Sequence, residues 1–396
     1  EDGGYGLTGR YYNGPVPEGT PVQVRSDRTI NFNWIFSLPN PELDANCFSV
    51  AWTGSVIMPH TMDGCIGLST QDSMRLYLDD ELLIDGWGKD KSADQALDFH
   101  FEAGRAYKIR IEFVNDGRGA RVIFGYSAGR ENFSAAVEAA RKADVAILCM
   151  GDNEETSGEN FDRTDLNLPG RQLELVKAVY ATGTPVVLVL QSGRPVTANW
   201  ENDHLPAILE AWFPGEQGGT AIARTLFGDA IPGGRLPITF PRSVGQIPCH
   251  YSRRPGGGKK YVEMDWMPLY PFGYGLTYTT FAYRDMTLSR SVIGPQDTVT
   301  VSVTVTNTGK YTGDAVPQLY VRDMFSSVVK PERQLAAFRR LPLAPGESRR
   351  VELTVGPKQL RTLGPDYVWR VEPGKFELQL GDNAENILLR ADLTVE

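Results

Sequence analysis

Apolar and polar residues alternate in short runs over the first third of the chain. Residues 55–58 and 74–78 are two such runs, and Gly, Asp-Asp and Asp-Gly turn residues separate them from their neighbours. Alternation with a period of two is the pattern of strands that bury one face, and turn residues at short intervals mark their ends. The pattern therefore predicts an all-β domain, a β-sandwich module, over residues 1–127.

The pattern changes over residues 128–250, where continuous apolar runs alternate with segments of helical periodicity. We expect the apolar runs to be buried strands, because the strands of a parallel sheet are covered on both faces. Ser134 is a candidate N-cap for the first helix. Strands are predicted over 145–150, 186–190 and 207–212, and helices over 135–143, 170–183 and 216–227. This order predicts an α/β sandwich with a mostly parallel sheet.

From about residue 270 the pattern becomes that of strands again. Valine occupies every second position over residues 298–305, and the Asn-Thr-Gly sequence at 307–309 is a predicted turn. This predicts a C-terminal fibronectin type III-like β-sandwich over residues 283–396, which a linker over residues 251–282 joins to the α/β segment. The expected fold class is therefore multidomain, α/β plus all-β.

Composition and charge narrow the classes of function. The 396 residues carry a formal net charge of −9 and no cluster of Lys and Arg, which argues against a nucleic-acid partner. The four histidines lack the spacing of metal ligands, so neither a metal nor another cofactor is expected. No apolar stretch is long enough to cross a membrane. Of the four cysteines, Cys47 and Cys65 can pair in an oxidising compartment, and Cys149 is expected to be buried packing.

Candidate chemistry lies on the loop that follows the first predicted strand of the α/β segment. Glu159 stands there with Arg163 four positions on, and α/β sheets place functional groups on loops at the carboxyl ends of parallel strands. A carboxyl in this position is a candidate proton donor. Glu154 and Glu155 are rivals on the same loop, and plain solvent exposure is the alternative for all three. Asp162 and Arg163 are expected to act as charged anchors of the loop.

Six short motifs occur in order from this loop to the linker. They are Gly-Asp-Asn-Glu-Glu-Thr-Ser-Gly-Glu at 151–159, Asp-Arg at 162–163 with Leu-Pro-Gly at 168–170, Ser-Gly-Arg-Pro-Val at 192–196, Trp-Phe-Pro-Gly-Glu-Gln-Gly-Gly at 212–219, Pro-Gly-Gly-Arg-Leu-Pro at 232–237 and Tyr-Pro-Phe-Gly-Tyr-Gly-Leu at 270–276. Together they resemble the motifs of the latter half of glycoside hydrolase family 3, and the resemblance covers nearly the whole chain.

The first segment resembles a second module. Residues 6–12 and 76–85 are similar to the protective-antigen-type β-sandwich that is commonly inserted in family 3 glycosidases and that binds sugars in some settings. Some sugar-binding members of that module use an Asp-Asp pair to hold calcium. This chain has Gln71 and Asp72 at the corresponding place, so no calcium site is expected. A lid that shapes the substrate site, or a spacer, is the alternative to sugar binding.

The resemblance implies a retaining exo-β-glycosidase that hydrolyses terminal non-reducing β-D-glucosyl residues of oligo- or aryl β-glycosides. Glu159 takes the position of the family's general acid/base, and Phe161 is a candidate for the apolar wall that a protonated catalytic acid needs. In the family, a barrel that precedes these segments supplies the Asp nucleophile. The chain is therefore expected to be a C-terminal fragment or processed subunit, inactive without a barrel-bearing N-terminal portion or chain of the same enzyme. A periplasmic or secreted location is expected, and a homo-oligomer is possible.

Three further residues are candidates for substrate binding. Trp266 and Tyr261 can stack on a sugar ring, and packing against the barrel is the alternative for both. Asn160 stands where many members of the family have Gly, so it either stiffens the loop or contacts the sugar. The competing function is a non-catalytic carbohydrate-binding or adaptor protein. Glucose, xylose, galactose and N-acetylglucosamine all remain open as the sugar.

Overall fold

The chain divides into two units, Glu1–Ser134 and Ala135–Glu396. A computed structural model describes residues 5–34, 37–70, 72–88, 95–117, 121–127, 133–154, 156–256 and 261–396. In the described helices, no segment is both long enough and apolar enough to cross a membrane.

Ten strands of the first unit form two antiparallel sheets. They are β1 (Leu7–Asn13), β2 (Gln23–Asp27), β3 (Asn31–Asn33), β4 (Phe48–Ile57), β5 (Met62–Ser69), β6 (Ser73–Leu78), β7 (Glu81–Gly86), β8 (Gln95–Phe101), β9 (Ala106–Asn115) and β10 (Arg121–Ser127). One sheet has the order β2-β1-β4-β9-β6-β7 and the other has the order β3-β10-β5-β8. Both sheets contribute to one apolar core, and buried positions alternate with less buried ones along β9. The all-β character predicted for this segment is confirmed.

A buried carboxylate lies among the aromatic side chains of this core. Asp27 is 7% exposed and accepts hydrogen bonds from the Tyr11 hydroxyl at 2.7 Å and from the Trp52 indole at 2.8 Å. It also forms an ion pair with Arg25 at 2.8 Å. Because a buried charge is costly unless it is paired and hydrogen-bonded, these three donors are what allow Asp27 to lie inside the core.

Asp72, the acidic residue considered for a calcium site, is fully buried. Its carboxylate accepts a hydrogen bond from the backbone N–H of Asp116 at 3.2 Å. Gln71 lies outside the described residues. Within the described ranges, no three His, Cys, Asp or Glu side chains are grouped so that they could hold a metal ion.

The second unit contains a small parallel sheet with helical segments between its strands. The elements in chain order are α1 (Ser134–Arg141), β11 (Ala146–Gly151), α2 (Gln172–Tyr180), β12 (Val186–Gln191), α3 (Asn199–His204), β13 (Ala207–Glu210), α4 (Gly218–Leu226) and a 3-10 helix (Val244–Gln246). β12 is central and pairs in parallel with β11 and with β13. Val186 and Leu188 of β12 are fully buried in the core that also contains Val176 and Val179 of α2. The predicted βα alternation is confirmed.

The remainder of the second unit is formed mainly by antiparallel strands. The elements are β14 (Phe281–Leu288), β15 (Val292–Ile293), β16 (Val299–Asn307), β17 (Gly313–Ala315), β18 (Gln318–Asp323), β19 (Gln334–Phe338), β20 (Leu341–Leu343), β21 (Ser348–Val355), α5 (Pro357–Leu360), β22 (Thr362–Leu363), β23 (Trp369–Arg370), β24 (Gly374–Gly381) and β25 (Ile387–Val395). The sheets β14-β16-β21 and β15-β25-β24-β18-β19 share one core. Val299, Val301, Val303 and Val305 are fully buried in it, as their alternation predicts.

The burial predicted for residues 145–150 is wrong in this chain. Val145 and Ile147 are 48% and 45% exposed. Cys149 is a free, exposed thiol, so it is not the packing residue that we expected. The exposed positions alternate along β11, so one face of this strand is uncovered in the described part of the chain, whereas Leu148 on the other face packs against the core. An apolar run does not by itself distinguish a strand that is covered on both faces from one that is covered on a single face.

The pairing considered for Cys47 and Cys65 is also wrong, because both are free thiols. Cys65 lies on β5 in the four-stranded sheet, where its sulfur is 3.1 Å from the Ser127 hydroxyl. Cys47 lies just before β4, a strand of the six-stranded sheet. The two cysteines therefore lie at strands of different sheets. Their positions in the sequence do not show which sheet each strand joins.

Candidate active site

The loop with Glu159 leaves the carboxyl end of β11, on the edge of the sheet where β12 and β13 also end. Gly151, the last residue of β11, has a φ of +141°, and a Cβ atom there would lie 1.9 Å from the carbonyl oxygen of Gln191. Only glycine fits this close approach. The side-chain amide of Gln172 accepts from the Gly151 N–H at 2.7 Å and donates to its carbonyl at 2.8 Å. The point where the loop begins is therefore firmly held.

Asp152 is the buried anchor of the loop, with a side chain only 2% exposed. Its Oδ1 accepts hydrogen bonds from the Thr156 hydroxyl and from Arg163 Nη1, each at 3.1 Å. Arg163 also donates to the carbonyl of Asn167 at 2.8 Å, which confirms that this arginine anchors the loop. Asp162 is exposed, and none of the ion pairs found among the described residues includes it. The predicted anchor is therefore Arg163 and not Asp162.

Arg194 contacts the same loop from the segment that follows β12. Its Nη2 donates to the carbonyl of Thr156 at 3.4 Å, to the hydroxyl of Ser157 at 3.3 Å and to the carbonyl of Phe161 at 3.4 Å. A guanidinium group holds its N–H donors in a fixed plane, so several acceptors on one group also fix their relative positions. The result is a brace that contacts the loop on both sides of Glu159.

The tip of the loop presents Glu159 to solvent, and its neighbour Asn160 is exposed as well. Asn160 has a φ of +63°, in the left-handed region that glycine adopts readily and asparagine tolerates. The backbone therefore explains why Asn can replace Gly at this position. Phe161 is 38% exposed, and its ring packs against Gly158, where a Cβ would lie 3.0 Å from the ring.

The rival carboxyls differ from Glu159 in position. Glu154 is exposed and precedes Thr156, so it stands outside the segment that Arg194 braces. Glu155 lies outside the described residues. Among the candidates whose structure is described, Glu159 alone lies between the two ends of the brace.

Glu210 is a partly buried residue at this edge of the sheet, with a buried Oε2 atom, that sequence reasoning missed. It is the last residue of β13, and its Oε1 accepts a hydrogen bond from the backbone N–H of Trp212 at 2.9 Å. Burial raises the pKa of Glu210 to about 7; the Trp212 N–H and the Ser192 hydroxyl oppose this rise, and the negative charge of Asp152 adds to it. In the sequence Glu210 appears only as a polar residue at the end of a short apolar run, which is not a signal of burial.

Trp266 and Tyr261 line one groove in the second unit, with a volume of about 350 Å³. The Arg253 guanidinium carbon lies 4.6 Å from the centre of the Trp266 ring. Arg253 is held there by ion pairs with Glu385 at 2.7 Å and with Glu332 at 3.1 Å. One face of Trp266 is therefore covered by a fixed cation, and a ligand in the groove meets the remaining surface of the indole.

The structure separates the predicted site residues into two groups. Trp266 and Tyr261 lie together in the groove, where the Tyr261 hydroxyl donates to the carbonyl of Gly245 at 3.1 Å. Glu159 and Asn160 are adjacent on the loop after β11 and are not among the residues that line the groove.

The model of the glycosyl hydrolase family 3 C-terminal domain matches residues 19–278, and that of a fibronectin type III-like domain matches residues 315–384. A beta-xylosidase of Formosa agariphila is 44% identical over 275 residues, which are 68% of this chain and 38% of that protein. A periplasmic beta-glucosidase of Salmonella typhimurium is 43% identical over 263 residues, which are 64% of this chain and 34% of that protein.

A solved structure is similar over almost the whole chain. The beta-glucosidase of Kluyveromyces marxianus matches 99% of this chain with a TM-score of 0.79 and 28% sequence identity, so the similarity extends to strands of both units. The match covers 50% of the yeast protein. The chain thus spans half or less of the length of the proteins that it resembles.

Proposed function

Because this chain belongs to glycoside hydrolase family 3, we propose that it supplies the general acid/base of a retaining β-glycosidase and that Glu159 is that residue. The observation that supports the assignment most is the brace on the loop, since Arg194 contacts Thr156 on one side of Glu159 and Phe161 on the other. A carboxyl that transfers a proton to a substrate must be held in place and must also be accessible. Glu159 combines the two properties.

The proposed reaction needs two carboxyls, which in retaining enzymes lie about 5–5.5 Å apart. Protonated Glu159 donates its proton to the glycosidic oxygen as the bond to the anomeric carbon breaks. An Asp nucleophile on the other side forms the covalent glycosyl intermediate. Ionised Glu159 then takes a proton from water, whose oxygen attacks the anomeric carbon and releases the sugar. We propose that the Asp comes from a barrel in polypeptide outside this sequence.

The exposed face of β11 supports a partner of this kind. Val145 and Ile147 are about half exposed, and β11 pairs on one side only among the described strands. Parallel strands are normally covered on both faces, so an open apolar face fits further polypeptide of the same enzyme. The proposed partner is a barrel-bearing N-terminal portion or chain.

The four segments have separate roles in this proposal. Residues 128–250 form the α/β sandwich that carries the acid/base loop, and residues 251–282 link it to the fibronectin type III-like sandwich over 283–396. Residues 1–127 are proposed to be a protective-antigen-type module. The similarity of the yeast beta-glucosidase over 99% of the chain supports the inclusion of this module in such an enzyme.

The proposed substrates are oligo- or aryl β-glycosides with a terminal non-reducing β-D-glucosyl residue. The printed names of the relatives, beta-glucosidase and beta-xylosidase, support a β-linked pyranoside, and the periplasmic relative supports a periplasmic or secreted location. Asn160 is proposed to hydrogen-bond the sugar next to Glu159. Trp266 and Tyr261 are proposed to contact a more distant part of a glycoside, because they lie in the groove and not on the loop.

The substitution Glu159→Gln tests the catalytic role in a protein that contains this chain together with a barrel-bearing portion. Glutamine cannot donate the proton, so turnover of an aryl β-glucoside with a poor leaving group should fall by about 10²–10⁴-fold. A dinitrophenyl β-glucoside leaves without protonation, so its first step should be nearly unchanged. Azide needs no general base to attack the glycosyl intermediate. On the dinitrophenyl substrate, added azide should therefore restore turnover and yield a glycosyl azide.

Glu154→Gln is the matched control, because Glu154 is an exposed carboxyl on the same loop. It should keep the activity of the unsubstituted protein on both substrates. Full activity of Glu159→Gln on the poor leaving group would exclude Glu159 as the acid. Turnover by the isolated chain would contradict the need for a barrel.

The groove supports a second candidate function, carbohydrate binding without catalysis. Its walls combine Trp266 and Tyr261 with charged side chains, and its volume of about 350 Å³ falls in the range of small-ligand sites. Titration of the isolated chain with cellobiose separates the two functions. A binding protein should bind the sugar, lose binding in Trp266→Ala and be unaffected by Glu159→Gln, and the assembled protein should then show no turnover.

A further inference from the structure

Asp152 follows β11 and Glu210 ends β13, so these two acids flank the central strand β12 at the carboxyl edge of the parallel sheet. β12 pairs with β11 so that Gln191 is opposite Gly151, and it pairs with β13 so that Leu190 is opposite Glu210. Side chains of a strand alternate between its two faces. Asp152, one residue beyond Gly151, therefore lies on the same face of the sheet as Glu210.

Each of these carboxyls has one oxygen that is well bonded and one that is not. Oδ1 of Asp152 accepts from Thr156 and Arg163, and Oε1 of Glu210 accepts from the Trp212 N–H. Oδ2 of Asp152 and Oε2 of Glu210 are both buried, and neither has a hydrogen-bond partner among the described residues. Buried polar atoms are nearly always hydrogen-bonded, so two such atoms, on acids whose charges interact across β12, call for a common explanation.

We propose that Glu210 is a positioning residue for the Glu159 loop. Glu210 keeps its proton on Oε2 and donates it to Oδ2 of Asp152, directly or through one buried water. The proton satisfies both oxygens with one hydrogen bond. It leaves Asp152 as the single negative charge that faces the cationic brace. This inference rests on the proposed role of Glu159, because positioning matters only if that loop carries the acid.

The charges around Glu210 support this protonation state. The facing groups are Asp152 from β11, the neutral Ser192 hydroxyl after β12 and the Trp212 N–H after β13. Two cations pair with the Asp152 carboxylate, Arg163 at 3.1 Å from Oδ1 and Arg194 at 3.8 Å from Oδ2. A second carboxylate on this face would be buried beside Asp152 with no cation of its own. Burial raises the pKa of Glu210 to about 7, so the proton is held below that pH and released above it.

Release of the proton should loosen the loop. Ionised Glu210 would repel Asp152, the carboxylate that pairs with Arg194, and Arg194 also donates to Thr156 and Phe161. The brace is therefore expected to weaken as pH rises through about 7. In the assembled enzyme this would appear as a fall of activity on the alkaline side, because the acid/base would no longer be held in position.

Amide hydrogen exchange of the loop in the full chain tests the proposal without any activity measurement. Exchange of residues 153–163, corrected for the intrinsic pH dependence, is compared at about pH 5.5 and about pH 8.5. The unsubstituted chain should lose protection by roughly tenfold at the higher pH, which is the effect of one lost buried hydrogen bond. Glu210→Gln keeps a donor at every pH and should show the same high protection at both. Glu210→Leu removes the donor and should show low protection at both.

Infrared spectra of the unsubstituted chain at the two pH values provide a second readout, in which Glu210→Gln serves only to assign the carboxyl band. A protonated carboxyl band should be present at about pH 5.5 and absent at about pH 8.5. Absence of that band at the lower pH, or equal pH dependence of loop exchange in Glu210→Gln and the unsubstituted chain, would overturn the proposal. Glu159→Gln should leave loop exchange unchanged. The catalytic proposal is tested separately, by the turnover of that variant in the assembled protein.

Discussion

The substitution Glu210→Gln should change how the stability of the second unit depends on pH. The folded protein raises the pKa of Glu210 from an ordinary value of 4.5 to about 7. The folded state therefore holds this proton more tightly than the unfolded state does. It follows that the group costs no stability below about pH 4.5, and that stability is lost as pH rises from there to about 7.

The size of the loss follows from the two pKa values. A carboxyl that titrates at 4.5 when unfolded and at about 7 when folded lowers the free energy of unfolding by roughly 2–3 kcal/mol between pH 5 and pH 8. Glutamine keeps the acceptor for the Trp212 N–H and has no proton to lose. The stability of the variant should therefore lack this part of the pH dependence. The assay is scanning calorimetry of the chain at the two pH values, with the transition of the second unit resolved from that of the first.

Glu216→Gln is the matched control, because Glu216 is an exposed carboxyl shortly after β13. It should follow the pH dependence of the unsubstituted chain. If Glu210→Gln also follows it, Glu210 is ionised in the folded protein at neutral pH, and the argument from its burial is incorrect.

Three other substitutions have expected outcomes. Gly151→Ala should destabilise the chain by about 3 kcal/mol, because its Cβ would overlap the Gln191 carbonyl, whereas Gly219→Ala, with open space around it, should be neutral or stabilising in urea unfolding. Val303→Ala should cost about 2 kcal/mol in the same measurement, because Val303 is fully buried in the core of the C-terminal sheets. Arg194→Lys should increase amide exchange of residues 156–161 by roughly tenfold, because one ammonium group cannot bind the same set of acceptors in a fixed plane.

The order of elements was predictable because each local pattern agreed with the fold. The valines of β16 show the two-residue period of a strand, and the loop after β11 could be placed because a strand and a helix flank it. The anchor role of Arg163 followed from the need to hold a charged loop. The helix α3 was missed because its six residues, Asn199–His204, are too few to show a helical period.

The details that decide the site could not be predicted, because they depend on tertiary position. The exposure of Ile147 depends on one face of β11 being uncovered, and the burial of the Glu210 Oε2 atom depends on what packs against the end of β13. The Cβ clash at Gly151 depends on the distance to a neighbouring strand. A sequence pattern reports the period of a segment, and it contains no information about what the segment contacts.

The groove beside Trp266 depends on a contact that is distant along the chain. Arg253 and Glu385, whose ion pair holds the groove wall, are 132 positions apart in sequence. Contacts of such long range form late in folding, since the chain entropy of closing the loop is lost before the contact contributes. During synthesis this groove should therefore remain unformed until the last strands have left the ribosome. A fluorescent ligand of the groove would then mark molecules that have completed folding.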